Sequence, residues 1–272
     1  MNSSYNTPFT VILKTRHKQA LMCTAVFLRQ PRQNWPFIVA CNRDEMIDRP
    51  SKNPGRHWLD RPDVTAGMDE LAGGSWLGIN DDGVVSGILN RKGSLGADEV
   101  LRTRGELVLE ALTHSDAKDA AEALSYINPS AYRSFNLFVA DNRDAFWLRN
   151  QDPAAKKIDL FEIPIGLSML TSDNLNSKNS DRIQYFLPKF LKSKAPDPEK
   201  KFWEDWENLL ASKKRGPKAG SEEAMFIVTK TGFGTLSSSF LALESADALQ
   251  PKKIWRFANH TDNSAKYFFI EI

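Results

Sequence analysis

Met22-Cys23-Thr24-Ala25-Val26 opens the first credible strand of this chain, and Phe37-Ile38-Val39-Ala40-Cys41 runs directly into Asn42-Arg43-Asp44-Glu45. The run from Phe37 to Ala40 has no polar alternate, which is the pattern of a strand buried on both faces. A sheet built on it needs a layer on each side. Strands are expected over residues 23–30 and 35–41, joined by a short turn containing Pro31. Asn42-Arg43-Asp44-Glu45 then falls at a strand end, where four polar residues make either a solvated turn or a functional cluster.

Outward from there, Pro and Gly crowd residues 50–62, which reads as a loop. Residues 75–80 and 84–89 flank Asp81-Asp82-Gly83 as a hairpin, because Asp-Gly supplies the positive φ that a tight turn requires. Helical spacing follows over 101–113, and a second helix capped by Ser115 runs to 127 before Pro129. Strands return at 135–140 and 145–149, with another strand pair at 158–163 and 167–171. A second helical pair covers 181–191, capped by Ser180, and 199–212. Strands at 225–229, 235–243, 253–257 and 267–270 close the chain, and the Lys- and Gly-rich stretch 213–220 reads as a surface loop. This order brings strands from both ends of the chain into one β-sandwich with a helix pair on each outer face. Residues 23–272 are expected to form a single domain.

The chain has 272 residues, 41% hydrophobic and 26% charged, with seven tryptophans, most of them expected in the core. A formal charge of +2 from 36 basic and 34 acidic side chains argues against nucleic acid as a partner. No run reaches the roughly 18 apolar residues of a membrane span. Two cysteines cannot staple a domain of this size, so a reduced, cytoplasmic setting is expected. The opening 22 residues have their apolar run, Phe9 to Leu13, ahead of the basic residues rather than behind them, unlike a secretory signal. Met22 is therefore read as the true start and residues 1–22 as an extension. Oligomeric state is left open.

Three places could carry chemistry. Cys23 is either an inert strand cysteine or, if Met22 is removed, a nucleophile beside its own α-amino group. Such an amine has an unperturbed pKa of about 8 and can take the thiol proton with no histidine. Arg43 beside that thiol would lower its pKa, with acidic neighbours fixing the arginine or the α-ammonium. Gly73-Gly74-Ser75-Trp76-Leu77-Gly78 offers either a close backbone approach and a core tryptophan, or a site whose far end, Asn90-Arg91, supplies an oxyanion or substrate donor. No metal site is expected.

Taken in order, Met22-Cys23, Asn42 to Glu45, Gly73 to Gly78, Asn90-Arg91, Thr103-Arg104-Gly105-Glu106-Leu107 and Phe135-Asn136-Leu137 resemble the NRDE family, also known as the transport and Golgi organization protein 2 family. Phe233-Gly234-Thr235-Leu236-Ser237-Ser238 resembles its late Gly-Thr-x-Ser-Ser motif. The resemblance runs from Cys23 to near the C-terminus. It implies an α+β fold, a four-layer α/β/β/α sandwich of the N-terminal-nucleophile hydrolase type, related to cysteine amidases such as bile-salt hydrolases and penicillin V acylases. Their cysteine, arginine and aspartate carry over to Cys23, Arg43 and Asp44 as catalytic residues, with Asn90 as oxyanion donor. Asn42, Glu45 and Trp76 become substrate-binding or structural. Many members read Gly-Leu-Ser-Asn where this chain has Gly166-Leu167-Ser168-Met169, which would pass that asparagine's role to Asn174.

Two functions follow from the resemblance. One is hydrolysis of a small amide by Cys23, without a cofactor. The other is a non-catalytic carrier of haem or an acyl lipid on the same fold, since the family is linked to haem trafficking and lipid metabolism. His57 and His260 are the histidines available to haem iron, and each also reads as a surface or hydrogen-bonded residue.

Overall fold

Burial alternates along the strand that starts at Phe37 between two different cores. Phe37 and Val39 join a cluster with Phe27, Leu241, Trp255 and Phe138. Ile38 and Ala40 point the other way, into a cluster with Val26, Phe186, Phe190 and Trp206. Side chains alternate faces along a strand, so a continuous apolar run feeds both cores and requires cover on both sides.

The computed structural model describes residues 23–94, 100–217, 219–261 and 266–272. The extension read over residues 1–22 lies outside the described residues. In chain order the strands begin with β1 Thr24–Arg29, β2 Phe37–Met46, β3 Ser51–Gly55, β4 Val64–Asp69, β5 Leu77–Asn80 and β6 Val85–Asn90. Helices α1 Glu106–Ala111 and α2 Ala117–Ser125 follow, then β7 Phe135–Ala140, β8 Ala145–Asn150, β9 Asp159–Glu162 and β10 Gly166–Leu170. Helices α3 Asp181–Lys192 and α4 Glu204–Leu210 precede β11 Phe233–Leu243, β12 Lys253–Asn259 and β13 Phe268–Ile270.

One sheet has the order β10-β1-β2-β11-β12-β13 and the other β3-β4-β5-β6-β7-β8-β9, with every pairing antiparallel. Their inner faces meet in the first core, where Leu77, Ile79, Val85 and Phe138 oppose Phe27, Phe37, Leu241 and Trp255. α1 and α2 cover the outer face of the second sheet through Leu107, Val108, Leu112, Ala121 and Leu124. α3 and α4 cover the first through Ile183, Phe186, Phe190, Trp206 and Leu210. This is the four-layer α/β/β/α sandwich. Trp206 and Trp255 are wholly buried, each side chain contributing more than the ~1.5–3 kcal/mol of a smaller apolar residue because it removes more surface from water. Trp35, Trp147 and Trp203 are also buried, so most tryptophans are core residues as expected.

Local signals explain several elements. Gly83 holds φ +94° in the β5–β6 turn, the conformation that Asp-Gly supplies. Ser180 caps α3 by accepting from the amide of Ile183. Other expectations need correction. The cap of α2 is Asp116, which accepts from the Asp119 amide, not Ser115. Residues 50–62 are not all loop, since β3 occupies part of them. Residues 225–229 hold only a bridge from Val228 to Gly234 in place of a strand. The strand pair expected over 158–163 and 167–171 is split: β9 pairs β8 in one sheet and β10 pairs β1 in the other. Gly166, at φ +95°, begins β10 where the chain changes sheet. Finally, Asn42-Arg43-Asp44-Glu45 is not a turn after β2 but part of it, because β11 pairs along its whole length, from Phe37↔Leu243 to Met46↔Phe233. No described helix is long and apolar enough to cross a membrane.

Candidate active site

Cys23 precedes β1 immediately. Thr24 pairs with Asn42 on β2, so the next antiparallel position sets Cys23 opposite Arg43. Alternation then deals the functional side chains to two faces. Cys23 and Cys41 pack against the inter-sheet core, whereas Thr24, Asn42 and Asp44 turn toward the α3–α4 layer.

On that outer face the polar groups are buried and matched. Asn42 Nδ2 donates to the carbonyls of Leu210 at 3.0 Å and Met225 at 2.8 Å. Its Oδ1 accepts from Ser238 Oγ at 2.6 Å, and His260 Nε2 lies 2.8 Å from the same hydroxyl. The Asp44 carboxylate accepts from Thr235 Oγ1 at 2.6 Å and from Arg182 Nη1 at 3.1 Å. Arg182 Nη1 also donates to Thr24 Oγ1 at 2.6 Å. Burial pushes the Asp44 carboxyl up to about 6, against the opposing pull of Arg182 and Thr235. The acidic residue that was to fix Arg43 therefore fixes Arg182 instead, and Asp44 reaches the thiol only through its backbone carbonyl, 3.6 Å from Cys23 Sγ.

On the inner face the Arg43 guanidinium stacks over Trp76 at 4.2 Å and donates to Ser51 Oγ at 3.3 Å. Its charge lowers the Cys23 pKa, the expected direction, but burial is the larger influence and the nearby Asp44 and Glu45 charges add to it. The thiol is pushed up to about 12. Burial raises the Cys41 thiol further still, with Cys23 adding to the effect. Glu45 accepts from the Met46 amide and lies 3.9 Å from Arg49.

Trp76 lies flat on Gly67, where any Cβ would come within 2.2 Å of the indole. The neighbouring Gly74 approaches Gly105 so closely that a Cβ would sit 2.5 Å from its carbonyl carbon, and Ser75 N donates to Gly105 O at 3.0 Å. The Gly73–Gly78 and Thr103–Leu107 motifs are thus one structural unit, which brings Arg104 to the cleft. Local sequence could not reveal that partnership.

Two cavities meet at Cys23. A small apolar pocket of about 30 Å³ is bounded by Ala25, Cys41, Leu77, Leu89 and Phe138. A cleft of about 380 Å³ is bordered by Arg43, Glu45, Trp76, Asn90 and Arg104. The Asn90 side chain makes no hydrogen bond among the described residues and is half-buried at the end of β6. Asn174 is placed elsewhere and borders neither cavity on Cys23. Its Oδ1 accepts from Arg91 Nη2 at 3.0 Å, while Arg91 Nη1 donates to Asn136 Oδ1 at 2.7 Å. Asn136 in turn donates to the carbonyls of Thr171 and Asp173, both at 2.8 Å. The Asn90-Arg91 and Phe135-Asn136-Leu137 motifs therefore clasp one sheet to the loop following β10. Neither His57, which is bonded to the Asn53 carbonyl, nor His260 borders the cavities on Cys23, so neither of these two histidines is placed there to hold haem iron.

This geometry can be set beside known proteins. Residues 22–251 match the family described as Transport and Golgi organisation 2. The chain belongs to that family. The Transport and Golgi organization 2 homologue of Mus musculus is 34% identical over 132 residues, and the Homo sapiens homologue 33%. Each match covers 44% of this chain and only 45% of the relative, less than half its length. Among solved structures, an N-acylethanolamine-hydrolyzing acid amidase orthologue from Caenorhabditis elegans superposes with TM-score 0.56 at 11% identity. That match covers 80% of this chain and 92% of the other. A variant of conjugated bile acid hydrolase from Clostridium perfringens gives 0.54 at 12%, covering 92% of both. Penicillin V acylase from Agrobacterium tumefaciens gives 0.51 at 11%, covering 92% and 86%. At such identities the likeness shows a shared N-terminal-nucleophile hydrolase fold and nothing finer.

Proposed function

We propose that this family member is a cysteine amidohydrolase of the N-terminal-nucleophile type that cleaves a small amide. The observation that carries the reading is the convergence at one cleft of the Cys23 thiol, the Arg43 cation and the unbonded Asn90 amide. Removal of the residues before Cys23 frees an α-amino group within one residue of the thiol. That amine accepts the thiol proton as Sγ attacks the substrate carbonyl carbon. Asn90 Nδ2 donates to the oxyanion that develops. The C–N bond then breaks, the amine product leaves with the proton, and water cleaves the thioester to release the acid and restore the thiol. Arg43 offsets the negative charge on sulfur in a site where burial opposes ionisation. Two proteins that share the fold, an N-acylethanolamine-hydrolyzing acid amidase and a conjugated bile acid hydrolase, support this reading.

The test is an acyl-amide screen on the processed protein and on its Cys23→Ala variant. Turnover that falls by orders of magnitude in the variant is expected, because the bond-forming atom is gone. An inactive wild-type protein that binds haem or an acyl lipid, and whose Cys23→Ala variant still does so, would instead make the chain a carrier on a hydrolase fold.

A further inference from the structure

The two cavities at Cys23 share Arg43 and Trp76 but differ in size and in the rest of their lining, and the difference specifies what each half of an amide must look like. Arg104 is half-buried in the cleft, and every hydrogen bond its side chain makes among the described residues leaves through Nη1, to Ser94 O at 2.9 Å, Ser94 Oγ at 3.0 Å and Ser134 O at 3.2 Å. Neither Arg104 nor Arg43 has a carboxylate within ion-pair distance among the described residues. Other arginines of the cleft are matched: Arg49 lies 2.7 Å from Asp69, and Arg102 2.7 Å from Glu106.

The acids bordering the cleft are committed elsewhere. Asp44 is turned away to Arg182, Asp69 is held by Arg49, and Glu45 is bonded to the Met46 amide. Burial and the neighbouring Arg133 charge push the Arg104 pKa down to about 10, so the group stays a cation at neutral pH. A guanidinium with free donors in a recess is a ready partner for a planar, bidentate anion.

The other side of Cys23 is different. Beyond the shared Arg43 and Trp76, the smaller pocket holds about 30 Å³ and is lined mainly by apolar side chains, among them Cys41, Leu89 and Phe138, with Ser237 and Ser239 at its polar part. A single water needs ~10–15 Å³ by the same measure, so the space suits a group of about two heavy atoms. A long alkyl chain would have to run through the arginine-lined cleft, against its polarity.

Resting on the amidohydrolase reading, we propose that the substrate is a short-acyl amide whose amine half carries a carboxylate, with the acyl group in the apolar pocket and the carboxylate on Arg104 and Arg43. Cys23 and Asn90 then meet the carbonyl between the two halves, and the class is that of N-acetylated amino acids.

Calorimetric binding to the full chain carrying Cys23→Ala tests this without any need for turnover. N-acetylglycine should bind about tenfold more tightly than its uncharged isostere N-acetylglycinamide, with the advantage shrinking at high salt. N-octanoylglycine should bind more weakly than either. Arg104→Gln should abolish the preference for the carboxylate, whereas Arg102→Gln, at an exposed and already paired residue, should leave it intact. Should Arg104→Gln fail to fold, the ligand pair reads the preference on its own. Equal affinity for acid and amide, tighter binding of the octanoyl ligand, or no binding of N-acetylglycine would each overturn the proposal. The two readings fail separately. Wild-type turnover of neutral amides with no carboxylate preference removes this inference and keeps the hydrolase. Carboxylate-selective binding with no turnover by the wild type keeps the anion site and removes the hydrolase.

Discussion

The guanidinium of Arg182 stands 3.1 Å from the carboxylate of Asp44 with both side chains wholly shut off from solvent. Through the same Nη1 atom it reaches Thr24, so one residue of α3 ties the start of β1, next to Cys23, to the strand that carries Arg43. A buried charge left without its partner is costly, typically ~3–5 kcal/mol. Arg182→Gln should therefore lower stability by about that amount at pH 8, measured by chemical denaturation. The deficit should shrink in acid. The folded-state pKa of Asp44 is raised above its ordinary value, so its contribution is fully present below about 4 and lost as pH rises through about 6. Loss of Arg182 removes the largest influence opposing that rise and moves the window to higher pH. The variant should differ least from wild type near pH 5. A deficit that stays constant from pH 5 to 8 would mean the pair carries no such coupling.

Much of the layer order could be read from Phe37-Ile38-Val39-Ala40, because an apolar run without alternation demands cover on both faces. The hairpin at Gly83 and the Ser180 cap were equally local and equally legible. Arg182 was not. In sequence it is one of several charges on an amphipathic helix, and only its fold partners Thr24 and Asp44, 158 and 138 residues distant, mark it as buried. Asn42 to Glu45 misled for a related reason. Four polar residues resemble a turn until β11 is known to pair alongside them and supply Thr235 and Ser238 as hydrogen-bond partners.

Cys23 ionisation should report whether the chain has been processed. With its nitrogen in a peptide bond, burial holds the thiol near pKa 12, so only ~10⁻⁵ of it is thiolate at pH 7. Alkylation should then rise about tenfold per pH unit up to pH 10. A chain beginning at Cys23 gains an adjacent ammonium and should alkylate at least ~10-fold faster at pH 7. Cys41, raised further by burial, should lag behind Cys23 in both forms. Peptide mass mapping of timed iodoacetamide reactions reads all of these rates, and preferential labelling of Cys41 would remove the argument for a reactive Cys23.

Gly74 and Gly73 are adjacent but should respond differently to alanine. A Cβ on Gly74 meets the Gly105 backbone at 2.5 Å, and backbone cannot rotate out of the way. Gly73→Ala meets nothing within 4 Å and bears only the strain of φ +73°, worth ~1–2 kcal/mol. Gly74→Ala should cost more, in the upper part of the ~1–3 kcal/mol range for overpacking, and should also displace Arg104 from the cleft. Melting curves give the first difference, and N-acetylglycine affinity the second. Equal destabilisation would argue against the close approach of the two motifs.

Asn90 and Asn42 give the sharpest contrast between chemistry and architecture. Asn42 is buried with three hydrogen bonds, to α4, to β11 and to the loop at Met225, so Asn42→Ala strands the carbonyls of Leu210 and Met225 and should destabilise the fold by ~2 kcal/mol or more. The Asn90 side chain makes no hydrogen bond among the described residues, so Asn90→Ala should leave thermal stability within about 0.5 kcal/mol of wild type. If its amide meets the developing oxyanion, the same substitution should lower kcat by ~10²–10³ while KM changes little, since the interaction strengthens only as charge accumulates on the oxygen. Asn90→Asp, isosteric but unable to donate from that oxygen when ionised, should be at least as slow. A stable Asn90→Ala protein with undiminished kcat would take Asn90 out of the chemistry and leave the oxyanion to be held by backbone amides at the start of β1.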